Sequence, residues 1–481
     1  MIEIETPMLA LAATIADTGG DAGAAADMER LPHLPPQPKS VRETGLEQQL
    51  IVELIAKAIF IAGKTHLPVL TARLRLSINV LREVLDFMVA EQLAEVAWRG
   101  ASDIDVQYQL TGTGKQRAAV YLERCAYAGP APVTLEAYRS MVERQSWRRP
   151  EQGAPVVADD IAAVFGDDNL DPAVLDLIGA AMYSGRSLLL YGPPGSGKTT
   201  LARKLGRLQQ GLVAVPYAVV VGQEIIQVHD PLLHLAPPPH ALHVRQALER
   251  RSGDIRWALC QRPLVAIGAE LSEKMLDLRY DAFSGCYQAP PHFKANNGVF
   301  VVDDLGRQRM EIADLLNRFM QPLDRGLDQL SLRGGHSFSV PFDLVLAFAT
   351  SMAPHALLDD SFLRRLGYKI QVGPLNPSGY RNLFRQECRA ARIVFDEAAL
   401  RYLVDELHMG SGRPLLASYP RELLGRIADF AGFSGTPPRL TLAALDQAWI
   451  SMFAGCQAGP GAAAFGGDAC ADACAEFESI R

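Results

Sequence analysis

The sequence predicts an α/β protein built on a parallel sheet, with a small α+β domain before it and a helical domain after it. Three observations carry this expectation. The stretch Tyr191-Gly192-Pro193-Pro194-Gly195-Ser196-Gly197-Lys198-Thr199-Thr200 lies between a short apolar run and the start of a helix. A second apolar run, 299–302, ends in Asp303-Asp304. From residue 376 onward, apolar residues recur at helical spacing, and the segment lacks strand-like alternation.

Composition bounds the rest. At 481 residues the chain is long enough for two to four domains. Apolar content of 48% with 21% charged residues is that of a soluble globular protein. A net charge of −7 argues against a chain that coats nucleic acid or an acidic membrane, though one local DNA-binding face stays possible. The seven cysteines, at 125, 260, 286, 388, 456, 470 and 474, form no tight framework, which suggests reduced thiols inside a cell. No run of eighteen apolar residues occurs, and Met1-Ile2-Glu3-Ile4-Glu5 lacks a basic leader, so no membrane span and a cytoplasmic location are expected.

Residues 1–41 are rich in Ala, Gly, Asp and Pro and read as a flexible leader. Within 42–128, helical spacing from Leu46 to Ile59 is followed by a helix around Pro68 and a third starting after Ser77. A β-hairpin comes next, 93–98 and 104–110, and then a helix capped by Thr111. Three helices, a β-ribbon and a closing helix resemble a winged-helix domain. The segment from Arg42 to Cys125 holds ten Lys and Arg against ten Asp and Glu, and the third helix carries Arg82 against Glu83, Asp86 and Glu91. A reader of the DNA groove needs several phosphate contacts, so a protein-interaction role is favoured over DNA binding.

Residues 129–155 read as a linker with one helix, 135–145, and the nucleotide-binding core as 156–372. A second core strand is expected within 214–226, with an inserted subregion at 227–296. The histidines at 229, 234, 240 and 243 fit no common zinc spacing and read as ordinary core or surface side chains. A helical lid is expected at 373–456, in four helices, and a flexible tail at 457–481.

The chemistry centres on the glycine-rich turn. Glycines let successive N–H groups curl inward at phosphate oxygens, and the helix N-terminus adds partial positive charge. Gly192 through Thr200 would then cradle a nucleoside triphosphate, Lys198 would reach its β- and γ-phosphates, and Thr199 would hold Mg²⁺. Asp303, at the tip of a neighbouring strand, would complete the metal shell, and Asp304 would polarise the attacking water. Thr350 and Ser351 end a third strand and would stand between the metal site and the γ-phosphate. Arg364 and Arg365 follow; either they reach the γ-phosphate of a neighbouring subunit or they bridge to Asp359 and Asp360 at the surface.

Together, Gly-Pro-Pro-Gly-Ser-Gly-Lys-Thr, Asp303-Asp304, Thr350-Ser351 and Phe362-Leu363-Arg364-Arg365 resemble the AAA+ ATPases over about residues 156–450. Leu315 to Gln321, the alternating strands around Gly334-Gly335 and the run Pro341 to Thr350 resemble the MoxR-like branch more narrowly. The resemblance implies that Thr350 and Ser351 mark sensor 1, and that Arg365, with Arg364 second, is the arginine finger. It also implies a helical lid carrying sensor 2 at Arg421 in Ser418-Tyr419-Pro420-Arg421. Two positions depart from the family: Asp304 stands where a Glu is usual, and sensor 1 lacks the common Asn.

The expected function is therefore that of an ATP- and Mg²⁺-dependent AAA+ machine, assembled as a homo-oligomeric ring, a hexamer, and remodelling a protein client. Two other readings remain open. One is a winged-helix regulator on DNA with ATP as its switch; the other is a scaffold that binds ATP and scarcely hydrolyses it, as the shorter acid Asp304 suggests.

Overall fold

The computed structural model describes residues 34–102, 105–146, 148, 156–237, 253–357 and 360–453. Most of the expected leader, the whole expected tail, His240, His243, Asp359 and the cysteines at 456, 470 and 474 lie outside those residues.

The first unit forms from helices Gln48–Ala62, Leu67–Leu74 and Ile78–Ala90, an antiparallel sheet and a closing helix, Gly112–Arg124. Strand Val106–Leu110 lies at the middle of the sheet, with Thr65–His66 and Ala94–Arg99 on its two sides. Local chemistry sets the helix starts: the Ser77 Oγ accepts from the Val80 N–H, and the Thr111 Oγ1 accepts from the Gly114 N–H. Ile51, Leu54, Ile55, Leu67, Val80, Leu81, Val84 and Leu85 close a core from the inward stripe of each helix.

The central layer is a parallel five-stranded sheet. Its strands are β1 (Leu188–Tyr191), β2 (Leu264–Ile267), β3 (Val299–Val302), β4 (Val345–Thr350) and β5 (Tyr368–Gln371). They lie in the order β2-β3-β4-β1-β5. Leu189 faces Phe348 and Lys369 across the ladder, and Val302 faces Ile267 and Phe348. Because β3 and β4 are buried along their whole length, they read as unbroken apolar runs, as central parallel strands do. Helices Ala158–Phe165, Pro172–Ser184 and Lys198–Lys204 join one side of this core, and Ile312–Arg325 the other. This is a parallel-sheet α/β core with helices on both faces.

The second core strand is not where the sequence analysis put it. Residues 214–226 fold instead into strands Leu212–Pro216, Ala218–Val221 and Glu224–Gln227, broken at Tyr217 and at Gly222, whose φ is +61°. The strand that flanks β3 on the side away from β4 is β2, inside the region read as an insertion. With only four residues after Pro263, it gave no signal longer than many buried turns.

Residues 133–144 are likewise more than a linker. Val133–Thr134 adds as a parallel edge strand beside Ala218–Val221, in a second five-stranded sheet completed by Glu224–Gln227, Cys286–Gln288 and Arg279–Asp281. Helix Leu135–Arg144 then packs on this sheet through Tyr138, Met141 and Val142. Its Arg139 guanidinium donates to the Ser339 carbonyl at 2.7 Å. The antiparallel pair Leu327–Ser331 and Ser337–Pro341 docks on the same sheet with Leu330, Leu332, Phe338 and Val340. The Arg333 guanidinium lies 4.2 Å from the Tyr280 ring centroid, so the base of the hairpin tip is anchored, while Gly334, Gly335 and His336 are exposed.

The first unit is joined to this second sheet through a shared core containing Ala218, Ile225 and Cys286. Arg256, 4% exposed, pairs with Asp254 at 2.8 Å and donates to the carbonyls of Thr44 and Pro132, both at 3.1 Å.

The C-terminal part is helical: Pro377–Ala390, Glu397–Tyr402 continuing through a π-turn Leu403–His408, then Tyr419–Phe433 and Leu442–Phe453. Tyr380, Phe384, Leu403, Leu423 and Leu445 form its core. Asn376 caps the first helix by accepting from the Gly379 N–H, and Pro420 sits in the first turn of the third.

Candidate functional site

The glycine-rich turn leaves β1 and enters helix Lys198–Lys204 over the top of the sheet. Two glycines are required by geometry. Gly192 has φ +151°, and a Cβ there would stand 2.2 Å from the Val372 carbonyl oxygen. Gly195 has φ +85°, and a Cβ there would stand 2.5 Å from the Ser418 Oγ. The loop is therefore closed on one side by the chain leaving β5 and on the other by the lid.

Lys198 is buried at 8% exposure, and its Nζ donates to the carbonyls of Gly192 at 3.0 Å and Pro193 at 2.8 Å. Burial lowers the pKa of its ammonium, and the carboxylates of Asp304 and Asp303 oppose that shift. The side chain is folded back onto the backbone of its own loop, which places its cation inside the turn.

Asp303 and Asp304 end β3 as expected. The Thr199 Oγ1 donates to the Asp303 Oδ1 at 3.0 Å, so the two proposed metal-shell residues meet although 104 positions separate them. Those two hard oxygens suit Mg²⁺, which takes one or two protein ligands and completes its shell with phosphate and water. Among the described residues, no group of three or more His, Cys, Asp and Glu side chains could hold a metal ion.

Asp304 is exposed and takes φ +50°, a left-handed conformation uncommon for a non-glycine residue. The turn is held from several directions. The Asp304 N–H donates to the Asp303 Oδ1 at 3.0 Å. The Gln308 Nε2 donates to the carbonyls of Asp303 at 2.8 Å and Asp304 at 3.1 Å. Gln308 was not singled out from the sequence, since a glutamine six residues past a strand has no motif to mark it.

Thr350, 1% exposed, donates its hydroxyl to the Leu305 carbonyl at 2.8 Å and accepts from the Met352 N–H. It therefore ties β4 to the Asp303-Asp304 turn, and Ser351 beside it is half-buried. Arg364 is exposed on helix Asp360–Arg365. The Arg365 Nε donates to both carboxylate oxygens of Asp324, at 2.9 and 2.8 Å, while Asp359 and the Asp360 side chain lie outside what the structure describes.

Arg421 lies in the first turn of helix Tyr419–Phe433, three residues past Ser418. Its side chain is 79% exposed, and its guanidinium pairs with Glu387 at 3.0 Å, which raises its pKa. The lid meets the loop next to it through the backbone, since the Ser418 N–H donates to the Gly195 carbonyl at 3.0 Å. That contact had no sequence signal. His234 is buried, with Nδ1 accepting from the Asp230 N–H and Nε2 bonded to the Lys294 carbonyl, so it is held in protein hydrogen bonds away from the site.

Residues 376–451, the helical C-terminal part, match a family model described as "Domain of unknown function (DUF8689)". Over 150 residues, 30% of this chain, the sequence is 27% identical to RuvB-like helicase 1 of Drosophila melanogaster. Over 138 residues, 27% of this chain, it is 30% identical to RuvB-like helicase 1 of Emericella nidulans. The matched stretches span only 31% and 30% of those two proteins. Among solved structures, NtrX from Brucella abortus in complex with ATP is similar at 14% identity and TM-score 0.36, over 58% of this chain and 55% of that one. The RuvB Holliday junction branch migration motor of Thermotoga maritima is similar at 14% identity and TM-score 0.32, over 62% of this chain and 70% of that one. No helix among the described residues is long and apolar enough to cross a membrane.

Proposed function

We propose that this chain binds Mg-ATP at the loop Gly192–Thr200 and hydrolyses it as a ring-forming AAA+ ATPase that remodels a protein client. The observation that carries this reading is the 3.0 Å bond from Thr199 to Asp303, made beneath a loop whose buried lysine points into its own cradle. Lys198 and the loop N–H groups would bind the phosphates, and Thr199 with Asp303 would hold the metal. Bound Mg²⁺ would neutralise charge on the phosphate oxygens. Asp304 would accept a proton from water, and Ser418 would link loop occupancy to lid position. Arg421 would have to leave Glu387 to touch nucleotide. Similarity to RuvB-like helicase 1 supports the ATPase part of the proposal, and the hairpin before β4 supports the MoxR-like resemblance.

A protein client is favoured over DNA by the outer face of helix Ile78–Ala90, where Glu83, Asp86, Phe87 and Val89 are exposed. Acidic and apolar groups there offer phosphate no partner. Fluorescent ATP titration and phosphate release with the full chain test the proposal. Lys198→Ala should abolish binding, and Asp303→Asn should abolish turnover with Mg²⁺. Unimpaired turnover in both would sink it. Salt-dependent binding of duplex DNA by the full chain would favour the regulator instead. A second reading, a scaffold with little hydrolysis, rests on the exposed, left-handed Asp304; it predicts ATP binding with negligible phosphate release.

A further inference from the structure

Helix Asp360–Arg365 is fixed to the core by its inner side. Phe362, 1% exposed, packs with its ring centroid 6.0 Å from that of Phe348, and Leu366 is buried just beyond. This leaves Arg364 and Arg365 on the outer side, where the two differ. Arg365 is held at both ends of its guanidinium. The Nε lies between the two carboxylate oxygens of Asp324, and the Nη1 donates to the Ser361 carbonyl at 3.0 Å and the Ser361 Oγ at 2.8 Å. Asp324 sits in the last turn of helix Ile312–Arg325, which runs directly into strand Leu327–Ser331 of the hairpin.

We propose that Asp324 is a positioning residue that parks Arg365 against its own subunit until a neighbouring subunit presents nucleotide. This rests on the trans-acting role of Arg365 in the proposed function. A guanidinium already satisfied by a carboxylate does not reach outward; it swings only when a stronger anion competes. A nucleotide phosphate is such an anion, because it carries more charge than one carboxylate and takes the guanidinium fork in the same bidentate manner. The parked state is shallow enough to leave, since the side chains of Arg365 and Asp324 are 31% and 47% exposed and water screens the pair. Ser361 sets the direction of parking, one helical turn before Arg365. In this arrangement Asp324 touches neither nucleotide nor the attacking water and acts on turnover only through Arg365.

The test is phosphate release by the full chain at saturating Mg-ATP, measured across protein concentration. Arg365→Ala should lose the turnover that rises with protein concentration. Asp324→Asn keeps the shape and removes the charge; it should raise kcat by about three-fold while nucleotide affinity holds, the size expected from a screened surface pair. Asp324→Glu should return kcat towards the starting value. The double variant Asp324→Asn/Arg365→Ala should behave as Arg365→Ala alone. Should Asp324→Asn fold poorly, Ser361→Ala, which removes one partner of Nη1, should give a smaller gain of the same sign. Full turnover in Arg365→Ala would remove the trans role itself. Loss of turnover in Arg365→Ala, with kcat unchanged or lowered in the Asp324 and Ser361 variants, would leave that role intact and overturn the parking of Arg365.

Discussion

The Ser418 N–H donates to the Gly195 carbonyl at 3.0 Å, so the helical C-terminal part is hydrogen-bonded to the glycine-rich loop itself. A Cβ at Gly195 would strike the Ser418 Oγ at 2.5 Å, from a residue whose φ of +85° already excludes most side chains. Gly195→Ala is therefore expected to weaken nucleotide binding by roughly 5- to 150-fold, given a cost of about 1–3 kcal/mol for a forced left-handed residue. Equilibrium titration with a fluorescent ATP analogue measures it. Gly334→Ala on the exposed hairpin turn, where a Cβ meets nothing within 4 Å, is the control that should bind normally.

Asp304 and Asp303 lie side by side and should separate in kinetics. Asp304→Asn is expected to lower kcat by roughly 10²–10⁴-fold, the usual share of a general base, while nucleotide affinity stays within about two-fold. Asp304→Glu should raise kcat if the missing methylene limits approach to water. Steady-state phosphate release decides both, and equal loss of affinity in Asp304→Asn would show that the residue binds instead.

Gln308 spans the two acids by donating to both of their carbonyls. Its replacement by Ala frees the turn that holds Asp304 at φ +50°. We expect kcat to fall about ten-fold with little change in melting temperature, since a few neutral hydrogen bonds at a partly exposed turn contribute about 1 kcal/mol each. A large loss of thermal stability instead would make Gln308 a structural residue only.

His408 gives the lid a pH dependence of defined sign. Its Nδ1 can only donate to the Arg413 carbonyl at 3.1 Å, so Nε2 accepts from the Tyr380 hydroxyl at 3.0 Å and the ring is neutral. Burial lowers its pKa to about 4 from an ordinary 6.5. Between pH 6.5 and 4 the unfolded chain therefore binds a proton that the native lid refuses, and stability falls as pH falls. The full effect is about 3 kcal/mol below that window. Thermal melts of the whole protein at pH 7 and pH 5 should show the loss, and His408→Gln should flatten it whatever its own stability.

Arg256 joins Asp254 to the carbonyls of Thr44 and Pro132 in an interior site. Arg256→Met would leave the Asp254 carboxylate buried and uncompensated, at a cost of about 3–5 kcal/mol. Chemical denaturation should move to lower midpoint, and restoring balance with Arg256→Met/Asp254→Leu should recover much of it.

Much of this architecture was legible because local chemistry and tertiary outcome agree. Ser77, Thr111 and Asn376 cap helices as their types suggest, and the Gly334-Gly335 turn closes the hairpin. The loop, Thr199 and the acids of β3 converge as the motif implies. What sequence hid was long-range. β2 is four residues whose place depends on pairing with β3, and Val133–Thr134 becomes a strand only because Ala218–Val221 lies beside it. Arg365 and Arg421 likewise met Asp324 and Glu387, partners 41 and 34 positions away. The apolar stretch 214–226 misled because hydrophobicity reports burial, and two sheets compete for buried strands.

The burial of Arg256 beneath Thr44 and Pro132 bears on how the molecule can be taken apart. A cut near residue 128 leaves Ala218, Ile225 and Cys286 bare on one fragment and their packing partners bare on the other. The first unit and the second sheet thus share one interior. The first unit's bearing to the hairpin and to the loop above β1 is set by that packing rather than by a flexible joint.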